Sequence, residues 1–157
     1  MPSQLRFESS SKSRKEFFTC GYQHLDQKTF IKSLERSKIQ LVVDVRYTPM
    51  SRKPGFSKTT LRGALFSAGI AYLHFPCLGN PPRIRQAFCR HGQIDRALAQ
   101  YASYLSTKDK CLGRLVEEVE EMIFCLLCLE KDYTHCHRSV VANRIAELTG
   151  WQAAHLM

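Results

Sequence analysis

Ile39-Gln-Leu-Val-Val-Asp-Val45, followed at once by Arg46, is the stretch that decides the fold class. Ile39, Val42, Val43 and Val45 are β-branched, and apolar residues occupy both parities of the run. A strand apolar on both faces is covered on both faces, as in a parallel sheet flanked by helices. Upstream, Glu16 to Tyr22 reads as a short strand ending at Gly21. Asp26 is a candidate helix cap ahead of Phe30, Ile31 and Leu34 at helical spacing. Downstream, Pro49, Pro54 and Gly55 punctuate a loop, and Ser57 caps a predicted helix carrying Leu61, Leu65 and Phe66 that stops before Gly69.

The same alternation continues to the C-terminus. Ile70 to Phe75 reads as a strand and Pro76 to Pro82 as a loop. One or two helices are expected from about Ile84 to Leu105, and another near Leu112 to Glu121. Met122 to Leu129 is a second apolar strand, His135 to Thr149 a helix closed by Gly150, and Gln152 to Leu156 a last strand. Strands alternating with helices predict an α/β fold: a three-layer sandwich whose mainly parallel sheet has about five strands. Residues 16–157 are expected to form a single α/β domain. Residues 1–15, rich in Ser and Lys, are expected to be a flexible basic tail.

The composition of the 157 residues excludes several classes. With 44% hydrophobic and 24% charged residues the chain is neither disordered, collagenous nor a coiled coil. The N-terminus lacks the apolar run of a secretory signal, and no stretch reaches the roughly 18 apolar residues of a membrane span. A soluble, cytoplasmic protein without membrane contact is therefore expected. Seven cysteines, at 20, 77, 89, 111, 125, 128 and 136, are an odd number scattered through a chain with its own core. That pattern predicts thiols in a reducing compartment, mostly small buried fillers. Cys125-x-x-Cys128 looks like half a zinc site, but residues i and i+3 of a strand face opposite ways and do not share an ion. No metal and no cofactor are expected.

Charge is the outlier, at +9 with histidines neutral. Residues 45–94 hold Arg46, Arg52, Lys53, Lys58, Arg62, Arg83, Arg85 and Arg90 and no carboxylate. Solvated surfaces usually mix both signs, so this stretch suggests a site shaped for an anion. Ligands of such folds bind beyond the carboxyl ends of the strands. That rule selects Tyr22 and His24, then Asp44, Arg46 and the basic loop to Lys58, then His74 with Leu78-Gly79-Asn80, and finally Cys128, Glu130 and Cys136-His137-Arg138.

The chemistry of these residues points to phosphate. Arg46 is suited to bidentate recognition, with Asp44 two residues before it as an orienting partner or as one half of a structural pair. Ser51-Arg-Lys-Pro-Gly-Phe-Ser-Lys58 combines Arg52 and Lys58 with Phe56, as a phosphate contact beside a stacked base requires. No GxxxxGK[ST] loop occurs, which argues against an ATP-driven reaction. Cys136, at the start of a helix beside Arg138, reads either as an activated thiol or as a small buried residue. Glu130 is the best carboxylate for proton transfer, with His137 as runner-up.

Beyond these readings, the chain resembles the domain-of-unknown-function 488 family from about Phe17 to Leu156. The matching blocks are Thr19-Cys-Gly-Tyr22, Leu41-Val-Val-Asp-Val-Arg46, Ser51-Arg-Lys-Pro-Gly-Phe-Ser-Lys58 and Gly69-Ile-Ala-Tyr-Leu-His74. Leu78-Gly-Asn-Pro81, Leu127-Cys-Leu-Glu130 and Cys136-His-Arg-Ser139 complete the set. The resemblance implies a compact α/β domain sharing Arg46, Arg52, Lys58, His74, Cys128, Glu130, Cys136, His137 and Arg138, and leaves the reaction open. Together these readings lead to an enzyme acting on DNA, RNA or a nucleotide, by hydrolysis of an N-glycosidic or phosphoester bond. Glu130, His137 and Cys136 are its catalytic candidates. Arg46, Arg52, Lys58, Arg138, Tyr22, His74 and Asn80 are its candidates for holding the anionic substrate. The rival expectations are a non-catalytic nucleic-acid or nucleotide-binding module and a thiol-dependent enzyme using Cys136.

Overall fold

The computed structural model describes residues 15–90 and 92–156. The expected basic tail, apart from Lys15, lies outside the described residues. Five strands, β1 (Glu16–Gly21), β2 (Leu41–Asp44), β3 (Ala71–His74), β4 (Phe124–Cys128) and β5 (Gln152–Leu156), form one all-parallel sheet in the order β3-β2-β4-β1-β5. Six helices connect them: α1 (Gln27–Arg36), α2 (Lys58–Ser67), α3 (Pro82–Phe88), α4 (Ile94–Leu105), α5 (Asp109–Val119) and α6 (His137–Thr149). The α/β class and the parallel sheet expected from the sequence are present.

Strand parity explains the two cores. Phe17, Leu41, Val43, Phe124 and Leu126 face one side, where Tyr101, Leu105, Leu112, Leu115, Val119, Val141 and Ile145 of α4, α5 and α6 cover them. Cys20, Val42, Cys125 and Leu127 face the other side, under Phe30 and Leu34 of α1 and Leu61 and Leu65 of α2. Both faces of β2 and β4 are thus buried, as their unbroken apolar runs require. Cys125 accordingly meets Cys20 (Sγ to Sγ 3.0 Å), while Cys128 lies on the opposite face near α6.

Local boundaries differ from the sequence reading for identifiable reasons. Asp26 caps α1 as expected, accepting from the Thr29 N–H at 2.7 Å. Ser57 occupies the cap position of α2, but its Oγ bonds the Ser51 backbone instead of the helix. The expected helical stretch 84–105 divides into α3, ending at Phe88, and α4, starting at Ile94, with Gly92 at φ +75° between them. The last long helix begins at His137 because a 3₁₀ turn over Tyr133–His135 precedes it and Cys136 is its cap. One cysteine expectation is overturned: Cys77 and Cys111 form a disulfide that ties the segment after β3 to α5. Cys20, Cys89, Cys125, Cys128 and Cys136 carry free thiols. No described helix is long and apolar enough to cross a membrane.

The topology places a crevice. β1 and β4 are neighbours, yet β1 leads through α1 to β2 while β4 leads through α6 to β5 on the other side. Where adjacent connections part in this way, the carboxyl ends of the strands open a binding crevice.

Candidate active site

A cleft of about 670 Å³ occupies that crevice. Tyr22 follows β1, Arg46 to Met50 follow β2, Asn80 follows β3, and Cys128 to Glu130 end β4. Arg85, Phe88, Cys89, Arg90, Gly92 and Ile94, with His135 to His137, supply the remaining described walls. Arg46, Arg85, Arg90 and His135 bring basic groups, and Glu130 is the only carboxylate among the described lining residues.

The floor between β1 and β2 is a buried polar network. Arg46 donates from Nε and Nη2 to the two Asp44 oxygens (2.9 and 2.7 Å) and from Nη1 to the Tyr22 hydroxyl and the Phe56 carbonyl (2.9 and 2.7 Å). The Tyr72 hydroxyl also donates to Asp44, at 2.5 Å. Burial alone would weaken proton binding by Arg46, but the Asp44 carboxylate outweighs it and raises the guanidinium further. The Tyr22 ring stacks on Phe56 with centroids 4.3 Å apart, and Phe30 meets Phe56 edge-on. Two glycines admit close approaches of backbone here: a Cβ at Gly79 would overlap the Tyr47 backbone, and one at Gly21 would overlap the Glu130 carbonyl.

The opposite wall carries the reactive groups. His137 donates from Nε2 to the Val45 carbonyl at 2.8 Å, since a carbonyl only accepts. This bond turns Nδ1 toward sulfur, 3.7 Å from both Cys128 Sγ and Cys136 Sγ. The edge of the Tyr101 ring packs against the imidazole, with centroids 5.0 Å apart. The Glu130 carboxylate accepts from the Cys128 thiol at 3.1 Å. Cys128 is held well below the ordinary thiol range, first by the Cys136 thiol beside it and also by His137, which together outweigh burial. Burial and then Cys128 hold Cys136 well above that range. Burial pulls His137 down, but the Cys128 sulfur and the Val45 carbonyl leave it above the ordinary imidazole value. Burial, then the charge on Cys128, pushes Glu130 up to about 7. Cys128 Sγ, Cys136 Sγ and His137 Nδ1 lie within 4.8 Å of one another, the only such described group of ligating atoms. Asn80 Oδ1 is buried without a hydrogen-bond partner among the described residues.

Residues 26–145 match the family model described as Domain of unknown function DUF488. The chain belongs to the DUF488 family. The matched span runs from the cap of α1 into α6 and leaves β1 and β5 outside it. No curated protein and no solved structure matches the chain.

Within this DUF488 domain the candidates from sequence divide into two groups. Tyr22, Arg46, Asn80, Glu130, Cys136 and His137 all line the cleft. Arg52, Lys58, His74 and Arg138 do not. Arg52 is exposed on the loop before α2, and Lys58 is exposed at the first position of that helix. Phe56 is fully buried with Tyr22 over its face, so it offers no surface to a base. His74 bonds the Arg46 carbonyl at 2.8 Å and lines a separate, smaller cavity with Arg114 and Glu118. Arg138 is wholly buried, donating to Thr19 Oγ1 (3.2 Å), to the Lys131 carbonyl (3.0 Å) and to the Glu130 carbonyl. It therefore clamps the loop after β4 and does not present its guanidinium to a ligand.

Arg85, Arg90 and His135 were not singled out as site residues, and Cys128 was marked only by its strand end and the resemblance. The absence of acids from residues 45–94 was a signal for the two arginines. Nothing in the spacing gave one for His135.

Proposed function

We propose that this DUF488 protein is an enzyme that takes a phosphate-bearing substrate, DNA, RNA or a nucleotide, into the cleft and hydrolyses an N-glycosidic or phosphoester bond there. Glu130 is its general acid/base. The observation that supports this reading is the setting of that carboxylate: it lies in a cleft whose arginines, Arg46, Arg85 and Arg90, are basic and which has no second described carboxylate, yet no described ion pair engages it. A module that only binds phosphate gains nothing from such a group, which repels the ligand, whereas proton transfer to a leaving group needs one. Arg85 and Arg90, exposed on the α3–α4 segment, are the cations free to meet the anion. Arg46 supports the cleft from below, its donors engaged by Asp44, Tyr22 and Phe56. The test is Glu130→Gln, assayed for turnover and binding on nucleotides and oligonucleotides. Turnover falls by roughly 10²–10⁴-fold with binding retained; tighter binding with no turnover in either protein would favour the binding module.

The Cys128–His137 contact favours a second reading, a thiol-dependent enzyme. It replaces the expected nucleophile Cys136 with Cys128, because the depressed thiol is Cys128 and the raised one Cys136. Under this reading, alkylation of Cys128 abolishes turnover in metal-free protein.

A further inference from the structure

A thiol nucleophile needs one sulfur beside one imidazole, and this site has two. Cys128 Sγ and Cys136 Sγ stand at the same 3.7 Å from His137 Nδ1, and the three atoms lie within 4.8 Å of one another. A tetrahedral zinc ion with Zn–S near 2.3 Å and Zn–N near 2.05 Å sets an S···N edge of about 3.6 Å. Both S···N distances thus match that edge, and the two sulfurs lie within 4.8 Å of each other. The imidazole is oriented as a ligand should be, its other nitrogen fixed on the Val45 carbonyl at 2.8 Å and its ring braced by Tyr101. The backbone N–H of Arg138 points at Cys136 Sγ from the first turn of α6 (3.5 Å), which favours a sulfur carrying negative charge. Two sulfurs this close in a buried site deprotonate together only with a cation between them, and a divalent ion supplies that charge.

We propose that Cys128, Cys136 and His137 bind one Zn²⁺, leaving its fourth position open to the cleft. Glu130 stands outside the set of three converging atoms but touches Cys128 Sγ at 3.1 Å and lines the same cleft. A second observation concerns the same cleft: Asn80, only 6% exposed, is among its lining residues, and the buried Oδ1 of this side chain has no described hydrogen-bond partner. Soft sulfur and imidazole donors select zinc over magnesium or calcium. The ion's use rests on the hydrolytic reading, since a zinc-held water beside a carboxylate supplies the nucleophile that hydrolysis consumes. The sequence disguised the site because its ligands come from two segments. Cys128 ends β4, Cys136 and His137 open α6, and the conspicuous Cys125 lies on the other face of the sheet.

The test uses the full chain, stripped by chelator under inert gas and titrated with CoCl₂ and then ZnCl₂. The expected result is one equivalent bound, with the thiolate-to-cobalt charge-transfer absorption and visible bands of a tetrahedral site, and a melting temperature that rises on adding zinc. Cys136→Ser and His137→Ala, checked for folding by circular dichroism, weaken binding by more than the roughly 10–100-fold that loss of an outer partner causes. Cys20→Ala, on the opposite face, leaves it unchanged. Absence of a charge-transfer band in the wild-type protein, or equal binding by the ligand variants, overturns the site. Zinc bound without turnover on any phosphate substrate sinks the hydrolase and keeps the metal. Glu130→Gln losing turnover in protein that binds no zinc does the reverse.

Discussion

Asp44 is fully buried and Arg46 nearly so, so their pairing is tied to the fold as much as to the cleft. Arg46→Ala leaves the Asp44 carboxylate with the Tyr72 hydroxyl as its remaining side-chain donor. Breaking a buried pair in this way destabilises by about 3–5 kcal/mol. Urea unfolding should show that loss, with Arg46→Lys only partly restoring it because an ammonium does not reproduce the two-point contact. The pairing was legible, since residues i and i+2 of a strand share a face. The fate of Arg138 was not. Its donors end on carbonyls at Glu130 and Lys131 and on Thr19, and backbone carbonyls leave no mark in a residue pattern. The difference between Cys128 and Cys136 was hidden for a similar reason: both sulfurs lie 3.7 Å from His137 Nδ1, and the contact of Cys128 with Glu130 at 3.1 Å appears only in three dimensions.

At the scale of elements, periodicity and capping carried most of the reading. Asp26 caps α1 through the Thr29 N–H, and Asp26→Ala should lower stability by about 1 kcal/mol, read as a fall in the thermal midpoint. The α3–α4 break was harder to see, because Ile84 to Leu105 keeps apolar residues throughout and only Gly92 marks the turn. The Cys77–Cys111 disulfide was invisible, since seven scattered cysteines do not name their partners. It closes a loop across 34 positions, for which chain entropy gives a stabilisation of up to about 4 kcal/mol. Urea melts of the wild type and of Cys77→Ser with Cys111→Ser should differ in that direction. Equal midpoints would show that the segment after β3 is held by packing alone.

For the molecule as a whole, the net charge of +9 resolves into a local arrangement. Of the eight cations in residues 45–94, Arg46, Arg85 and Arg90 line the cleft, while Arg52 and Lys58 lie outside it. The parallel sheet was legible because β2 and β4 are apolar on both faces, and the rule about strand ends then located the cleft from sequence alone. The walls contributed by α3, α4 and the turn before α6 were not, because helix packing brings them in from far along the chain. The proposal of greatest consequence is that the cleft performs chemistry and does not merely hold an anion. Wild type and Glu130→Gln should therefore be compared side by side for oligonucleotide and nucleotide binding and for turnover, between roughly 50 and 200 mM salt. The expected result is retained, salt-sensitive binding with turnover lowered by roughly 10²–10⁴-fold in the variant. Turnover equal in the two proteins, or binding that strengthens where neither turns over, would contradict it.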